Sequence, residues 1–324
     1  MTRAAAPASR SRRAFAAAAG GLLAAAALGG CAVQTASLLA APPADLAPVV
    51  ELVDTPFFPD DSHFCGPAAL ATALGAAGFA TTPDALVDKV FLPGRAGSLQ
   101  LEMLAGARRA GAVATLIPGT LEAVMRETAA GHPVVVLQNL GLSWAPSWHY
   151  AVVVGHALDA REVLLRSGPM RRQRLAFRTF EHTWNRAGRW AFVVLPPGEL
   201  PSTATEAEAT RALVAFERSA SPAAAATAYR GGLARWPASL TLRMGLGNAL
   251  YAGGDLAGAE AEFRSAAEAR DAAAAWNNLA RVLLEQGRPA EARQAAERAL
   301  ANAGPLEAQV RATLADVDAQ APPR

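Results

Sequence analysis

Cys65 and His149 are the two side chains whose type and setting could do covalent chemistry. Cys65 sits in Asp61-Ser62-His63-Phe64-Cys65-Gly66-Pro67-Ala68-Ala69-Leu70, a turn that breaks into a helix. A thiolate at a helix N-terminus is favoured by the helix dipole and the free N–H groups of the first turn. The chain has 2 cysteines, so Cys65 has no partner except Cys31. His149 opens the apolar run His149-Tyr150-Ala151-Val152-Val153-Val154, after a tryptophan-bearing loop that ends at Trp148. An imidazole at the mouth of a strand can face a helix N-terminus across a cleft. There it can take the thiol proton and later protonate a leaving amine. Trp144 and Trp148 could wall a substrate cleft beside it, or pack in the interior.

Of the remaining histidines, His132 and His156 among them, His63 lies two residues before Cys65, in a loop from which it could touch the site or face solvent, and His182 reads as a helix surface position. His156, seven residues beyond His149, is expected on the opposite strand face. No short-spaced ligand pair suggests a metal, and no cofactor is expected. The chain has no GxxxxGK[ST] phosphate loop.

These residues need elements to hold them. A helix is expected from Cys65 to Ala77, with proline in a first turn that tolerates it. Further helices start near Thr82-Pro83, Ser98 and Thr120. Strands are expected at Val113–Ile117, 134–138, 150–154, 162–165 and 190–195, with a hairpin connection at Leu158-Asp159-Ala160-Arg161 and a short helix through Thr183 and Trp184. Helices first and antiparallel strands after them indicate an α+β domain over residues 51–197. Residues 198–207 read as a linker. From residue 208 to 324 the chain is helix-forming and repeats: Tyr229, Phe263 and Ala296 recur at intervals of 33–34 residues, with Leu246-Gly247 and Leu279-Ala280 each 17 before a slot. This resembles tetratricopeptide repeats, with Leu306 to Ala319 as a capping helix. It implies a concave groove for a protein partner.

Residues 1–30 hold Arg3, Arg10, Arg12 and Arg13 and no acid, followed by an apolar stretch from Ala14 to Leu28. They read as a secretory signal. Leu28-Gly29-Gly30-Cys31 resembles a bacterial lipobox, in which cleavage precedes a cysteine that takes a diacylglycerol. Residues 31–50 then read as a tether. With Ala32 after the cysteine, the resemblance implies the periplasmic face of the outer membrane. Four of the 30 basic residues lie before Cys31 and none of the 28 acidic ones, so the chain from Cys31 onward is slightly acidic. No basic stripe suggests nucleic acid.

The CGPAAL run at Cys65 and the HYAVVVG run at His149 resemble the double-glycine leader peptidases, which are papain-like cysteine peptidases. The resemblance covers about residues 51–197. It implies a papain-like fold, with Cys65 as nucleophile, His149 as general base and acid, and a peptide or protein as substrate. Acyl transfer from Cys65 would use the same residues. A lipoprotein form with tetratricopeptide repeats is similar to the whole chain. Two positions depart from the family. The oxyanion glutamine expected five or six residues before the cysteine is replaced by Asp60 or Pro59, and Gln138 is the candidate substitute donor. The aspartate expected after the hairpin is replaced by Ser167, while the nearest carboxylate, Asp159, belongs to a turn. A carboxylate near a developing oxyanion opposes it. The resemblance therefore leaves a second reading open, an adaptor that binds proteins through its repeats with little turnover.

Overall fold

The computed structural model describes residues 32–60 and 63–320, so Cys31 and the segment before it lie outside the described residues. The first domain contains α1 (Val33–Ala40), β1 (Val49–Glu51), α2 (Cys65–Ala76), α3 (Asp84–Val90), β2 (Phe91–Leu92), β3 (Gly97–Ser98), α4 (Gln100–Arg109), β4 (Val113–Leu116), α5 (Leu121–Ala129), β5 (Val134–Asn139), β6 (Trp148–Ala157), β7 (Glu162–Ser167), β8 (Met170–Ala176), α6 (Phe177–Asn185) and β9 (Ala191–Leu195). The second contains α7 (Glu206–Glu217), α8 (Pro222–Arg235), α9 (Leu240–Ala252), α10 (Leu256–Arg270), α11 (Ala273–Glu285), α12 (Pro289–Ala301) and α13 (Glu307–Gln320). The architecture is α+β followed by all-α.

An antiparallel sheet runs in the order β4-β9-β5-β6-β7-β8, with β1 paired to the far end of β6. Alternation along β5 and β6 sorts their side chains onto two covered faces. Val135, Leu137, Tyr150, Val152 and Val154 pack with Leu70 and Leu74 of α2 and Met103 and Ala107 of α4. Val134, Val136, Ala151 and Val153 pack with Leu121 and Val124 of α5 and Phe177, Phe180 and Trp184 of α6. A sheet covered on both faces reads as continuous apolar runs, which is why 134–137 and 150–154 carry no polar residue.

Helix α2 is buried without a break from Gly66 to Leu74. A helix apolar all round belongs in an interior, and alanine and glycine keep it thin enough to lie against the sheet. At Gly66 an added Cβ would meet Ser98 Oγ at 2.3 Å, and at Gly106 it would meet Val90 at 2.3 Å.

A register shift between Val153 and Gly155 changes the phase of β6. His156 is therefore not on the face opposite to Ala151 and Val153. It is fully buried, with Nε2 2.9 Å from Ala47 O and Nδ1 facing Thr128 Oγ1 of α5 at 3.4 Å. One extra residue in a bulge moves every later side chain across the sheet.

Two stretches expected to be loose are held. Residues 33–40 of the presumed tether form α1, whose Thr35 and Leu38 are buried. Glu181 accepts the backbone N–H groups of Gln34 and Thr35 and the Thr35 hydroxyl at 2.6–2.9 Å. The presumed linker is clamped from both sides. The Glu127 carboxylate, with no solvent exposure, accepts from the backbone N–H and hydroxyl of both Ser202 and Thr203 at 2.6–3.2 Å. Its Oε2 also lies 2.7 Å from His132 Nδ1. From the repeat side, Arg235 donates to Pro201 O and Ser202 O. Gly231 lets the Gly198 backbone approach to where a Cβ would meet its O at 2.2 Å. Val113 of β4 joins the core that holds Leu213 and Phe216 of α7.

In the repeats, Tyr229 and Phe263 are 1% exposed. A Cβ on Gly245 would collide with the Tyr229 ring at 2.3 Å, and one on Gly247 with the Phe263 ring at 2.5 Å. Both rings are seated against glycines of α9, where a larger residue would displace them.

Burial by itself would raise the Glu127 pKa, but hydrogen bonds from His132, Thr203 and Ser202 carry it below the ordinary glutamate value. Its stabilising contribution is therefore present at neutral pH and lost as pH falls through the folded-state value. Glu127→Gln should destabilise the protein by on the order of 3 kcal/mol at pH 7. In thermal denaturation the gap from wild type should stay constant from pH 7 to about pH 5 and shrink below that, as the unfolded and then the folded carboxylate take up a proton.

Candidate active site

Cys65 is the first residue of α2 and is half-buried. Its thiol faces the backbone N–H of Tyr150, the residue after His149. Burial pushes the Cys65 thiol up from its ordinary pKa. The Tyr150 N–H pulls it back, the Asp60 charge pushes it up again, and the N–H groups of Gly66 and Cys65 itself oppose that; the net direction is upward. The thiolate expected from the helix dipole is thus not the resting form. A dipole acts through about half a charge, and here it is outweighed by taking the sulfur out of water.

His149 lies next to Tyr150 on β6, in register with Gln138 on β5. Its Nε2 is 2.9 Å from Ser167 Oγ. Among the described residues Nδ1 carries no hydrogen bond, and none joins the ring to Cys65. Burial lowers the His149 pKa and the Asp60 charge raises it in part, so the ring stays neutral below the usual histidine range. The two groups rest as thiol and imidazole.

Ser167 ends β7 before a turn in which Gly168 takes φ 53°. Gly168 O accepts the Asp60 backbone N–H at 3.1 Å, which ties the segment before α2 to the strand that orients His149. Arg166 reinforces this tie. Its guanidinium donates to Val53 O at 3.1 Å, Thr55 O at 3.3 Å and Arg171 O at 2.6 Å. A narrow cavity beside the thiol is lined by Phe57, Phe58, Asp60, Cys65, Tyr150 and Ser167, with Arg166 behind them. Its volume is about 10 Å³, room for little more than one water.

Gln138 is not in this cavity. It is 1% exposed, and its Nε2 donates to Thr183 Oγ1 of α6 at 2.6 Å. Its amide is taken up by Thr183, so the expected oxyanion donor is not met at Gln138. Asp159 is exposed in the β6–β7 turn. Trp144 and Trp148 are 82% and 55% exposed, and neither is core. No group of three or more His, Cys, Asp or Glu suited to a metal occurs among the described residues.

Sequence reasoning missed three supports. The Tyr150 N–H meets the thiol. The Tyr150 hydroxyl donates to Ser98 O at 3.2 Å, and Ser98 in turn fills the space over Gly66. The Arg166 tie is the third. The glycine directly after Cys65 was the visible sign of a close approach.

Residues 48–192 match the model of the peptidase C39-like family. Residues 210–272 and 273–304 match tetratricopeptide repeat models. Among solved structures, a putative C39-like peptidase from Bacillus anthracis is similar at 17% identity, over 45% of this chain and 97% of that chain, with a TM-score of 0.40. No curated protein matches. The chain carries a peptidase C39-like domain, and tetratricopeptide repeats follow it.

Alkylation by iodoacetamide reads the thiolate fraction. Its rate should rise with pH through a midpoint above that of an ordinary thiol, about 8.5. Asp60→Asn removes the charge that raises the thiol pKa and should move the midpoint down, seen as faster labelling at pH 8.

Proposed function

We propose that the protein is a cysteine peptidase that cleaves a peptide bond through Cys65 and His149. The observation that carries this reading is one narrow cavity lined by Cys65 at the start of α2 and by Ser167, the residue whose Oγ lies 2.9 Å from His149 Nε2. In this mechanism Nδ1 of His149 takes the Cys65 proton as sulfur attacks the scissile carbonyl carbon. The Cys65 backbone N–H is the available donor for the developing oxyanion. Collapse of the tetrahedral species breaks the C–N bond, and His149 gives its proton to the leaving amine. Water activated by the same imidazole then hydrolyses the thioester and restores the thiol. Two neutral groups suit this general-base route better than a standing ion pair.

The remainder of the reading concerns place. The signal-like segment and Cys31 support a lipid-anchored protein on the periplasmic face of the outer membrane. The repeats offer a surface for substrate or a protein partner. The adaptor reading keeps one observation in its favour: Asp60 stands beside the nucleophile, where its charge opposes both thiolate and oxyanion.

The test is digestion of a degenerate peptide library, with products read by mass spectrometry. Wild type should cleave, and Cys65→Ala and His149→Ala should each lose at least about 10³-fold in rate while keeping the wild-type melting temperature. Folded wild-type protein that leaves the library intact would replace the peptidase with the adaptor.

A further inference from the structure

The loop between β5 and β6 leads directly into His149 and is a built projection. The buried Asn139 accepts the backbone N–H groups of Gly141 and Ser147 on Oδ1 at 3.0 and 2.9 Å. Leu140 N–H donates to Ser147 O at 2.8 Å, and Leu142 and Ala145 exchange two hydrogen bonds of 3.1 Å. A Cβ on Gly141 would meet Ala145 O at 2.4 Å, so the two arms touch. Arg186, the residue that caps the C-terminus of α6, clamps Asn139 O at 2.9 and 3.2 Å. What this frame presents is apolar. Leu140, Leu142, Trp144 and Trp148 are each more than half exposed, and residues 140–148 contain no charge. Large apolar side chains gathered on a rigid frame in water mark a surface that binds something.

Position identifies the occupant. Trp148 directly precedes His149 on β6 and pairs with Asn139 at the end of β5, so the hairpin begins at the residue beside the imidazole. In the peptidase reading His149 protonates the leaving amine, so the chain segment after the scissile bond must pass on the His149 side, over this hairpin. Resting on that reading, we propose that the Trp144–Trp148 hairpin is the subsite for the segment that follows the cleaved bond, and that it selects uncharged peptides with a bulky aliphatic or aromatic side chain there. A rigid aromatic wall suits this role because little ordering is needed on binding.

Two measurements separate this proposal from the peptidase reading. In the library digest, new N-termini should be enriched in Leu, Ile, Phe or Trp at their first two residues. In the cleavages that Trp144→Ser still makes, that enrichment should fall toward parity. Cleavage by wild type without enrichment, or enrichment unchanged in Trp144→Ser, overturns the subsite. Binding needs no turnover, so labelled hexapeptides beginning Leu-Phe or Ser-Gly are also titrated against the full-length Cys65→Ala protein by fluorescence anisotropy. The Leu-Phe peptide should bind at least about tenfold tighter, a margin lost in Cys65→Ala/Trp144→Ser. Equal binding overturns the hairpin proposal whether or not Cys65 is catalytic, whereas discrimination without wild-type cleavage keeps the hairpin and removes the peptidase. Binding to phosphatidylethanolamine–phosphatidylglycerol vesicles that depends on Trp144, with no peptide discrimination, reassigns the loop to a membrane surface and overturns the proposal.

Discussion

The N-terminus of α2 lying flat against β6 is the constraint on which the rest of the first domain depends. A helix buried without a break from Gly66 to Leu74 can sit there only if its side chains are small and its flanks are filled. Gly66 accepts Ser98, and Gly106 on the neighbouring α4 accepts Val90 and Leu70. The result is a sulfur brought to the backbone of β6 next to a histidine. The position of the thiol follows from the packing of nine residues that have no chemistry of their own.

That closeness has an electrostatic consequence. The helix dipole and three backbone N–H groups favour a thiolate, but desolvation is larger, and the Asp60 charge adds to it. The same burial keeps His149 neutral. A site of this kind holds its proton until a substrate arrives and must move it during reaction. Such reluctance fits a protein whose thiol would otherwise be an exposed target for oxidants. Ser167 gives the ring direction without adding charge, so orientation and imidazolium stabilisation are separated here.

The repeat domain is not a free appendage. Glu127 reaches out of α5 to hold Ser202 and Thr203, Arg235 of α8 holds the same segment from the other side, and α7 packs on β4, the sheet edge away from β7 and β8. Any partner seated on the repeats is therefore held at a fixed position relative to the thiol. At the other end of the chain, α1 is docked on α5 and α6.

Local sequence determined most of the elements and the order of an α+β domain followed by helical repeats. The helix at Cys65, the strand at His149 and the 33–34 residue period are short-range patterns, set by proline, glycine and apolar spacing, that survive without knowledge of what packs against them. Long-range contacts decided the remainder. A bulge at Val153/Gly155 moved His156 across the sheet, and Thr183 of α6 took up the Gln138 amide. Segments that show no period, 33–40 and 198–207, are ordered because buried carboxylates elsewhere in the chain receive their donors. The protonation state of Cys65 was likewise invisible in sequence, since it depends on how much water the folded chain removes from around one sulfur.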